Sequence, residues 1–143
     1  MTPIRRLDHV AILVRDTEAA LEHFSGRLGL RVVHRDELDS PAVRLTYLDA
    51  GNAFIQLVEP RDPESELGRS LEARGEGLHH VCFAVDDVPA AAAELSANGA
   101  PPTLGQGRGR QSAFVDGAPH GVVVECTEFH RRDDVDRTAG WLE

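Results

Sequence analysis

Lysine is absent from this chain. All 15 basic residues are arginine, and 24 acidic residues give a formal net charge of −9. Without a lysine side chain the protein cannot use the Schiff-base chemistry that depends on one. An acidic chain also lacks the basic surface that nucleic acids require. We therefore expect a small-molecule substrate and no nucleic-acid partner.

Cysteines and long apolar runs are scarce as well. Cys82 and Cys126 are the two cysteines, and each lies in an apolar strand pattern, so a disulfide framework is not predicted. The longest apolar runs have the length of strands, which predicts no membrane span. No apolar segment typical of a secretory signal is found at the N-terminus, so we expect a cytoplasmic protein. The length of 143 residues and a hydrophobic content of 41% predict one globular domain, residues 1–143.

The sequence repeats itself. HVAILVRD at residues 9–16 returns as HVCFAVDD at 80–87, and FIQLVE at 54–59 matches VVECTE at 123–128. Because a repeat places equivalent residues at equivalent points of the fold, the two halves should be two copies of one module.

Each half has the pattern of a strand, a helix and three further strands. We place module one at about residues 5–60, module two at about 77–129 and a charged C-terminal tail at 130–143. A short helix is expected near 64–74, a polar loop at 35–41 and a flexible, glycine-rich hairpin loop at 105–110. The fold class predicted is α+β, with two tandem βαβββ modules forming one curved mixed sheet around a metal cleft.

Four polar residues interrupt otherwise apolar strands at matched positions of the repeat: His9, Gln56, His80 and Glu125. A buried carboxylate is costly alone, and two neutral imidazoles with a divalent cation remove that cost. Two imidazoles, a carboxylate and an amide oxygen suit Co, Mn, Ni, Zn or Fe(II). His79 is an alternative to His80, although alignment of the repeat favours His80.

Four segments carry a resemblance to a known family: LDHVA at 7–11, QLVEP at 56–60, GEGLHHV at 75–81 and HGVVVE at 120–125. They resemble the vicinal-oxygen-chelate superfamily, which includes glyoxalase I, extradiol dioxygenases, thiol-transferring fosfomycin-resistance enzymes and methylmalonyl-CoA epimerases. The likeness covers about residues 5–129 and is greatest to the methylmalonyl-CoA epimerases.

The resemblance implies a metal-dependent epimerase of a methylmalonyl-CoA-like acyl-CoA. Its metal ligands would be the same four residues, and Glu125 would also be a catalytic proton-transfer group. The reaction would be a 1,1-proton transfer through a metal-stabilised enediolate. Superfamily members often form homodimers, so a homodimer is expected.

Two other classes of function stay open. One is another metalloenzyme of the superfamily: a glyoxalase or lyase, a thiol transferase, or a ring-cleaving dioxygenase that uses His9, His80 and Glu125. The other is a non-catalytic small-molecule-binding resistance protein.

One element of the epimerase pattern is missing. The bacterial epimerases carry a glutamate on the strand before the Gln-bearing one, whereas here PAVRLTYL at 41–48 holds no acid. Depending on the strand register, Arg44 or Leu45 occupies that place. Substitutes for the acid could come from Glu37, Asp39, Tyr47 or Glu59.

Three arginines are candidate substrate-binding residues. Arg44 could bind a carboxylate or phosphate of the ligand, and Arg108 and Arg110 could bind the phosphates of CoA. The alternative for the last two is a pair of solvated arginines in a mobile hairpin.

Overall fold

The structure is a computed structural model, and it describes residues 2–131. These fall into two compact units. Unit one comprises residues 2–9, 51–53 and 80–131, and unit two comprises 10–50 and 54–79. Most of the predicted C-terminal tail therefore lies outside the described residues. Within the described part, no helix is long and apolar enough to cross a membrane.

Unit two contains most of the first module. Its elements are the end of β1 (Ile4–Leu13), α1 (Thr17–Leu21) continuing as a π-helical segment (Glu22–Arg27), β2 (Arg31–Asp39), β3 (Ala42–Asp49), β4 (Phe54–Pro60) and α2 (Glu66–Arg74). The strand order in this unit is β2-β3-β4-β1. The predicted strand, helix and three strands are confirmed, as is the short helix near 64–74.

The polar loop predicted at 35–41 is wrong, because β2 continues to Asp39. Its polar residues pair with β3 on an edge strand, and Glu37 lies opposite Arg44 in the antiparallel register. Ion pairs across strands support an exposed strand whose composition alone suggests a loop.

The ends of the helices in unit two follow from single residues. Asp16 caps α1 by accepting hydrogen bonds from the backbone N–H groups of Glu18 and Ala19. Ser65 caps α2 in the same way through the N–H of Gly68. Gly29 has a φ of 80°, the left-handed conformation that commonly ends a helix, as its position in the sequence predicts.

The two faces of β3 and β4 pack against different helices. Val43, Leu45, Tyr47, Phe54 and Val58 form one buried cluster, against which Leu67 and Leu71 of α2 pack. A second cluster on the opposite face joins Leu48 and Leu57 to Leu21 of α1. These clusters define which side of the sheet each polar residue of unit two occupies.

Unit one contains most of the second module. After the start of β1, its elements are the end of β5 (Gly77–Val85), α3 (Val88–Ala97), β6 (Thr103–Gly107), β7 (Arg110–Phe114), a 3₁₀ turn (Pro119–Gly121) and β8 (Val124–Glu128). The strand order in this unit is β1-β5-β8-β7-β6. Strands β5 and β8 are parallel, whereas β8, β7 and β6 are antiparallel. Mixed strands with few helices confirm the predicted α+β class.

The hairpin between β6 and β7 is tighter than predicted. Gly107 and Arg110 pair across it, which leaves Arg108 and Gly109 as the turn. Both have positive φ, 53° and 70°, as two-residue hairpin turns require. The six-residue flexible loop expected at 105–110 is therefore a two-residue turn between paired strands.

Candidate metal centre

Three buried donor atoms converge in unit one. Nε2 of His9 on β1 lies 3.3 Å from Nε2 of His80 on β5. Glu125 Oε1 on β8 lies 3.1 Å from the His80 nitrogen and 3.2 Å from the His9 nitrogen. The three side chains belong to residues that are at most 8% exposed. The donors therefore form a nearly equilateral triangle shielded from solvent.

The size of this triangle fits one divalent ion. Imidazole nitrogen and carboxylate oxygen bind such ions at about 2.0–2.1 Å. Neighbouring ligand atoms around one ion are then about 3.0 Å apart in an octahedral shell and about 3.4 Å apart in a tetrahedral one. The observed edges of 3.1, 3.2 and 3.3 Å fall between these values. The residues present thus fit a metal in both donor type and spacing.

The strand register explains how the sequence brings the donors together. In the parallel pairing of β5 and β8, Cys82 lies opposite Glu125, and His80 shares the face of Cys82. His80, rather than its neighbour His79, is therefore the histidine of this cluster. Phe114, opposite Glu125 on β7, places its ring edge-on to His80 with centroids 5.1 Å apart. The aromatic ring restricts the orientation of the imidazole.

The charges of the donors are coupled. Burial alone would raise the pKa of Glu125, but hydrogen bonds and charges from His80 and His9 outweigh it and hold that pKa well below its usual value. Burial lowers the pKa of His9, but Asp8 and Glu125 outweigh that effect and raise it. The carboxylate is therefore ionised at neutral pH, and the proton on the metal-free His9 is held more firmly than usual.

Asp8 contacts the cluster, and the sequence did not reveal this. It is 1% exposed, and its Oδ2 lies 2.7 Å from His9 Nδ1 and 2.5 Å from Arg108 Nη2. Burial raises its pKa, but the hydrogen bond with His9 and the charge of Arg108 outweigh burial and lower the pKa to about 2. Adjacent strand residues normally point to opposite faces, so strand alternation gave no reason to pair Asp8 with His9.

The two arginines of the β6–β7 hairpin differ in their surroundings. The Arg108 side chain is 8% exposed in its ion pair with Asp8, so the alternative of two solvated arginines does not hold for it. Arg110 lies on β7 and is partly buried. The prediction that either residue binds CoA phosphates stays a prediction.

Gln56, in unit two, is buried, and among the described residues its side-chain Nε2 has a hydrogen-bond partner whereas its Oε1 has none. Its Nε2 donates a hydrogen bond to the Tyr47 hydroxyl over 2.8 Å. Its Oε1 is also buried and has no hydrogen-bond partner among the described residues. A buried amide oxygen normally has a partner, so this atom retains the lone pairs that a ligand atom uses. Its assignment as a fourth metal ligand stays a prediction from the repeat.

The strand register decides between Arg44 and Leu45. Tyr47 lies opposite Gln56 and Leu45 opposite Val58, so Leu45 shares the face of Gln56. Arg44 lies opposite Glu59 on the other face. The residue of this pair that shares the Gln56 face is therefore the leucine, and Arg44 cannot serve a ligand bound on that face.

Arg44 is engaged by two of the candidate acids instead. Its Nε lies 2.6 Å from Glu37 Oε1, and its Nη1 lies 3.1 Å from Glu59 Oε2. Glu59 also accepts a hydrogen bond from the backbone N–H of Thr17 over 2.7 Å. These residues line a cavity of about 320 Å³ on the α1 side of unit two. Of the four residues considered as substitutes for an acid, Glu37, Asp39, Tyr47 and Glu59, only Tyr47 shares the face of Gln56 in the strand register.

Comparisons with known proteins agree with this architecture. An ethylmalonyl-CoA/methylmalonyl-CoA epimerase of Cereibacter sphaeroides is 35% identical over 98 residues, covering 68% of this chain and 73% of the relative. Methylmalonyl-CoA epimerase of Mycobacterium tuberculosis superposes with a TM-score of 0.81 at 28% identity, covering 94% of this chain and 95% of that one.

The Streptomyces coelicolor methylmalonyl-CoA epimerase, solved as a variant with 2-nitronate-propionyl-CoA, gives a TM-score of 0.79 at 29% identity, covering 88% of this chain and 98% of that one. The chain spans 57% and 52% of two further curated relatives, an uncharacterised Bacillus subtilis protein and human mitochondrial methylmalonyl-CoA epimerase.

The sequence profile described as Glyoxalase/Bleomycin resistance protein/Dioxygenase superfamily matches residues 8–115. That range includes most of both units and three of the four predicted ligands. With the fold of the epimerase structures, it places the chain among proteins built from this module. The chain belongs to the glyoxalase/bleomycin resistance protein/dioxygenase superfamily.

Proposed function

We propose that this protein is a metal-dependent isomerase that removes and returns a proton at C2 of a methylmalonyl-CoA-like acyl-CoA. The observation that carries the proposal is the triangle of His9, His80 and Glu125, whose edges of 3.1–3.3 Å fit one divalent ion. The similarity to epimerases supplies the substrate class. Gln56 is included as a fourth ligand on the pattern of the repeat, and the ion could be Co, Mn, Ni, Zn or Fe.

The ion, when bound, supplies a Lewis acid that stabilises negative charge on the substrate oxygens as the proton leaves. His9 and His80 contribute neutral nitrogen donors and orient the carboxylate between them. Glu125 is ionised at neutral pH, which is the state that a base requires.

Exchange and inversion make different demands on the residues. One base is enough to exchange the C2 proton with solvent, whereas inversion needs a proton delivered to the opposite face. Leu45, on the Gln56 face of β3, cannot deliver that proton, so we expect it to come from another group. Exchange of the C2 proton is therefore the more direct test of the metal centre.

The experiment incubates the purified protein with methylmalonyl-CoA in D₂O, with Co²⁺ or Mn²⁺, and follows deuterium at C2 by mass spectrometry. We expect exchange with the wild type and none above the metal-only background with His80→Ala. Inversion is followed in the same samples by chiral analysis. If no tested metal supports exchange by the wild type, the proposal is wrong.

A second candidate is favoured by the same triangle. Two histidines and one carboxylate are also the donor set of non-haem Fe(II) oxygenases. Oxygen consumption with catechols in the presence of Fe²⁺, lost in His80→Ala, would favour this function. Gln56 as a fourth ligand argues against it, because it would occupy a coordination position that oxygen or substrate needs.

The assembly of the protein belongs to the proposal as well. The homodimer expected from the resemblance is checked by light scattering on the purified full-length chain. A monomer with full exchange activity would show that one chain suffices for the reaction.

A further inference from the structure

We infer that Asp8 and Arg108 are positioning residues for His9, forming an Arg108–Asp8–His9 chain behind the metal centre. Arg108 Nη2 and His9 Nδ1 bind the same oxygen of Asp8, at 2.5 and 2.7 Å. This inference deepens the proposed function and rests on it, because it assigns roles to two residues outside the ligand set.

The two nitrogens of His9 face different groups. Nδ1 faces the Asp8 carboxylate, and Nε2 faces His80 and Glu125. An ionised carboxylate can only accept a hydrogen bond, so the contact at 2.7 Å requires a proton on Nδ1. Nε2 also faces a carboxylate oxygen, of Glu125, but at 3.2 Å that contact is longer than the one at Nδ1. The single proton of the neutral ring therefore lies on Nδ1, and the lone pair lies on Nε2.

Arg108 holds the Asp8 carboxylate in place. A carboxylate that is 1% exposed is costly unless its charge is matched. Arg108 supplies a cation, and its side chain is itself only 8% exposed. The ion pair keeps Asp8 charged and aimed at His9, because a protonated or rotated carboxyl would not select one tautomer.

The backbone of Arg108 supports this role. Its φ of 53° is left-handed, a conformation that Asn or Gly adopts more readily than Arg. Such a turn favours glycine at its second position, and Gly109 occupies that position. The turn itself therefore gives no reason for an arginine at 108, and the contact with Asp8 does.

The variants separate the turn from the ion pair. Arg108→Asn keeps a residue suited to the turn and removes the guanidinium, while Asp8→Asn removes the carboxylate charge with little change of shape. Arg110→Gln, in the same hairpin, is the matched control. The tautomer of His9 is read by long-range ¹H–¹⁵N NMR on metal-free protein at pH 9, with the signals assigned by their loss in His9→Gln. Co²⁺ affinity and the visible spectrum of the Co²⁺ form are measured on the same proteins.

We expect the Nδ1–H tautomer in the wild type and in Arg110→Gln, and a mixture of tautomers in Asp8→Asn. Co²⁺ affinity should fall about 10–100-fold in Asp8→Asn and about tenfold in Arg108→Asn. Arg108→Lys, which restores a cation, should recover part of the loss. The Co²⁺ spectrum should change with the tautomer.

The inference is overturned if Arg108→Asn lowers the melting temperature but keeps the wild-type tautomer and Co²⁺ affinity, because Arg108 then acts on folding alone. The proposed function fails separately. A wild type with the Nδ1–H tautomer and tight Co²⁺ binding but no C2 exchange contradicts the isomerase and leaves the positioning role standing.

Discussion

Glu125 in unit one and Gln56 in unit two occupy equivalent positions in the repeat and are almost equally buried, at 7% and 4% exposure. Their surroundings differ. Glu125 accepts contacts from two imidazole nitrogens at 3.1 and 3.2 Å. Gln56 donates to one tyrosine hydroxyl, and its oxygen has no hydrogen-bond partner in residues 2–131.

The difference shows which part of a repeat is copied and which is not. Strand position and burial recur in both units, whereas charge is placed only where neighbouring groups can match it. A carboxylate is tolerated beside His9 and His80 because their protons or a shared cation compensate its charge. A neutral amide suits the position in unit two, where the contact is a hydroxyl. Substitutions that replace the carboxylate of unit one by an amide, or remove the amide of unit two, test this comparison directly.

The largest effect is expected from Glu125→Gln, which gives unit one the neutral side chain found in unit two. The shape is kept, but the ionised oxygen between the two histidines is lost. Co²⁺ affinity should fall by more than about 100-fold, beyond the loss typical of residues that only support a ligand. Isothermal titration calorimetry measures this, and C2 exchange should disappear in parallel.

Glu128→Gln is the matched control on the same strand. Glu128 accepts a hydrogen bond from the backbone N–H of Gln111 and contacts His130 Nε2 at 3.4 Å, and neither partner belongs to the ligand set. Its replacement should leave Co²⁺ affinity within about twofold of the wild type, since it changes only hydrogen bonding away from the ligand set. Equal losses in the two variants would mean that negative charge on β8, rather than the Glu125 contact, governs metal binding.

Much of the fold could be read from the sequence because it depends on local signals. Asp16 and Asp87 cap helices, and Gly29 ends one with a positive φ; aspartate before a helix and glycine after it are signals that the sequence itself carries. The pairing of His9 with His80 followed from the repeat alone. These features need only periodicity, capping and internal similarity.

What the sequence could not supply depends on contacts between distant segments. The Asp8–Arg108 ion pair joins residues 100 positions apart, and neither belongs to the repeated motif. The length of β2 depends on cross-strand pairing such as Glu37 with Arg44, which a polar composition concealed. The choice between Arg44 and Leu45 needed the register of β3 on β4, which one residue of slippage would reverse.

Smaller effects are expected from substitutions of Gln56 and of its hydrogen-bond partner Tyr47. Gln56→Leu removes the hydrogen bond to Tyr47 and the unpartnered oxygen together, whereas Tyr47→Phe removes the hydrogen bond alone. Each should lower the free energy of unfolding by about 1 kcal/mol, the usual net contribution of one hydrogen bond. If Gln56 is a ligand, Gln56→Leu should also weaken Co²⁺ binding about tenfold, with Tyr47→Phe near the wild type.

Urea denaturation and Co²⁺ titration of these two variants sharpen the comparison between the units. Equal Co²⁺ affinities in both variants and the wild type would remove Gln56 from the ligand set. The metal centre would then consist of His9, His80 and Glu125 alone, and unit two would contribute no ligand to it.

The smallest effect is expected from Arg44→Gln. Arg44 lies on the face of β3 opposite Gln56, and its exposed side chain contacts Glu37 and Glu59. Exposed ion pairs contribute little to stability, so the melting temperature should fall only slightly. Co²⁺ affinity and the KM for methylmalonyl-CoA should stay within about twofold of the wild type, because the exposed charge of Arg44 is screened by solvent and by its two carboxylate partners. A KM raised tenfold with unchanged Co²⁺ affinity would instead place substrate on the α1 side of unit two, where Arg44 would bind it directly.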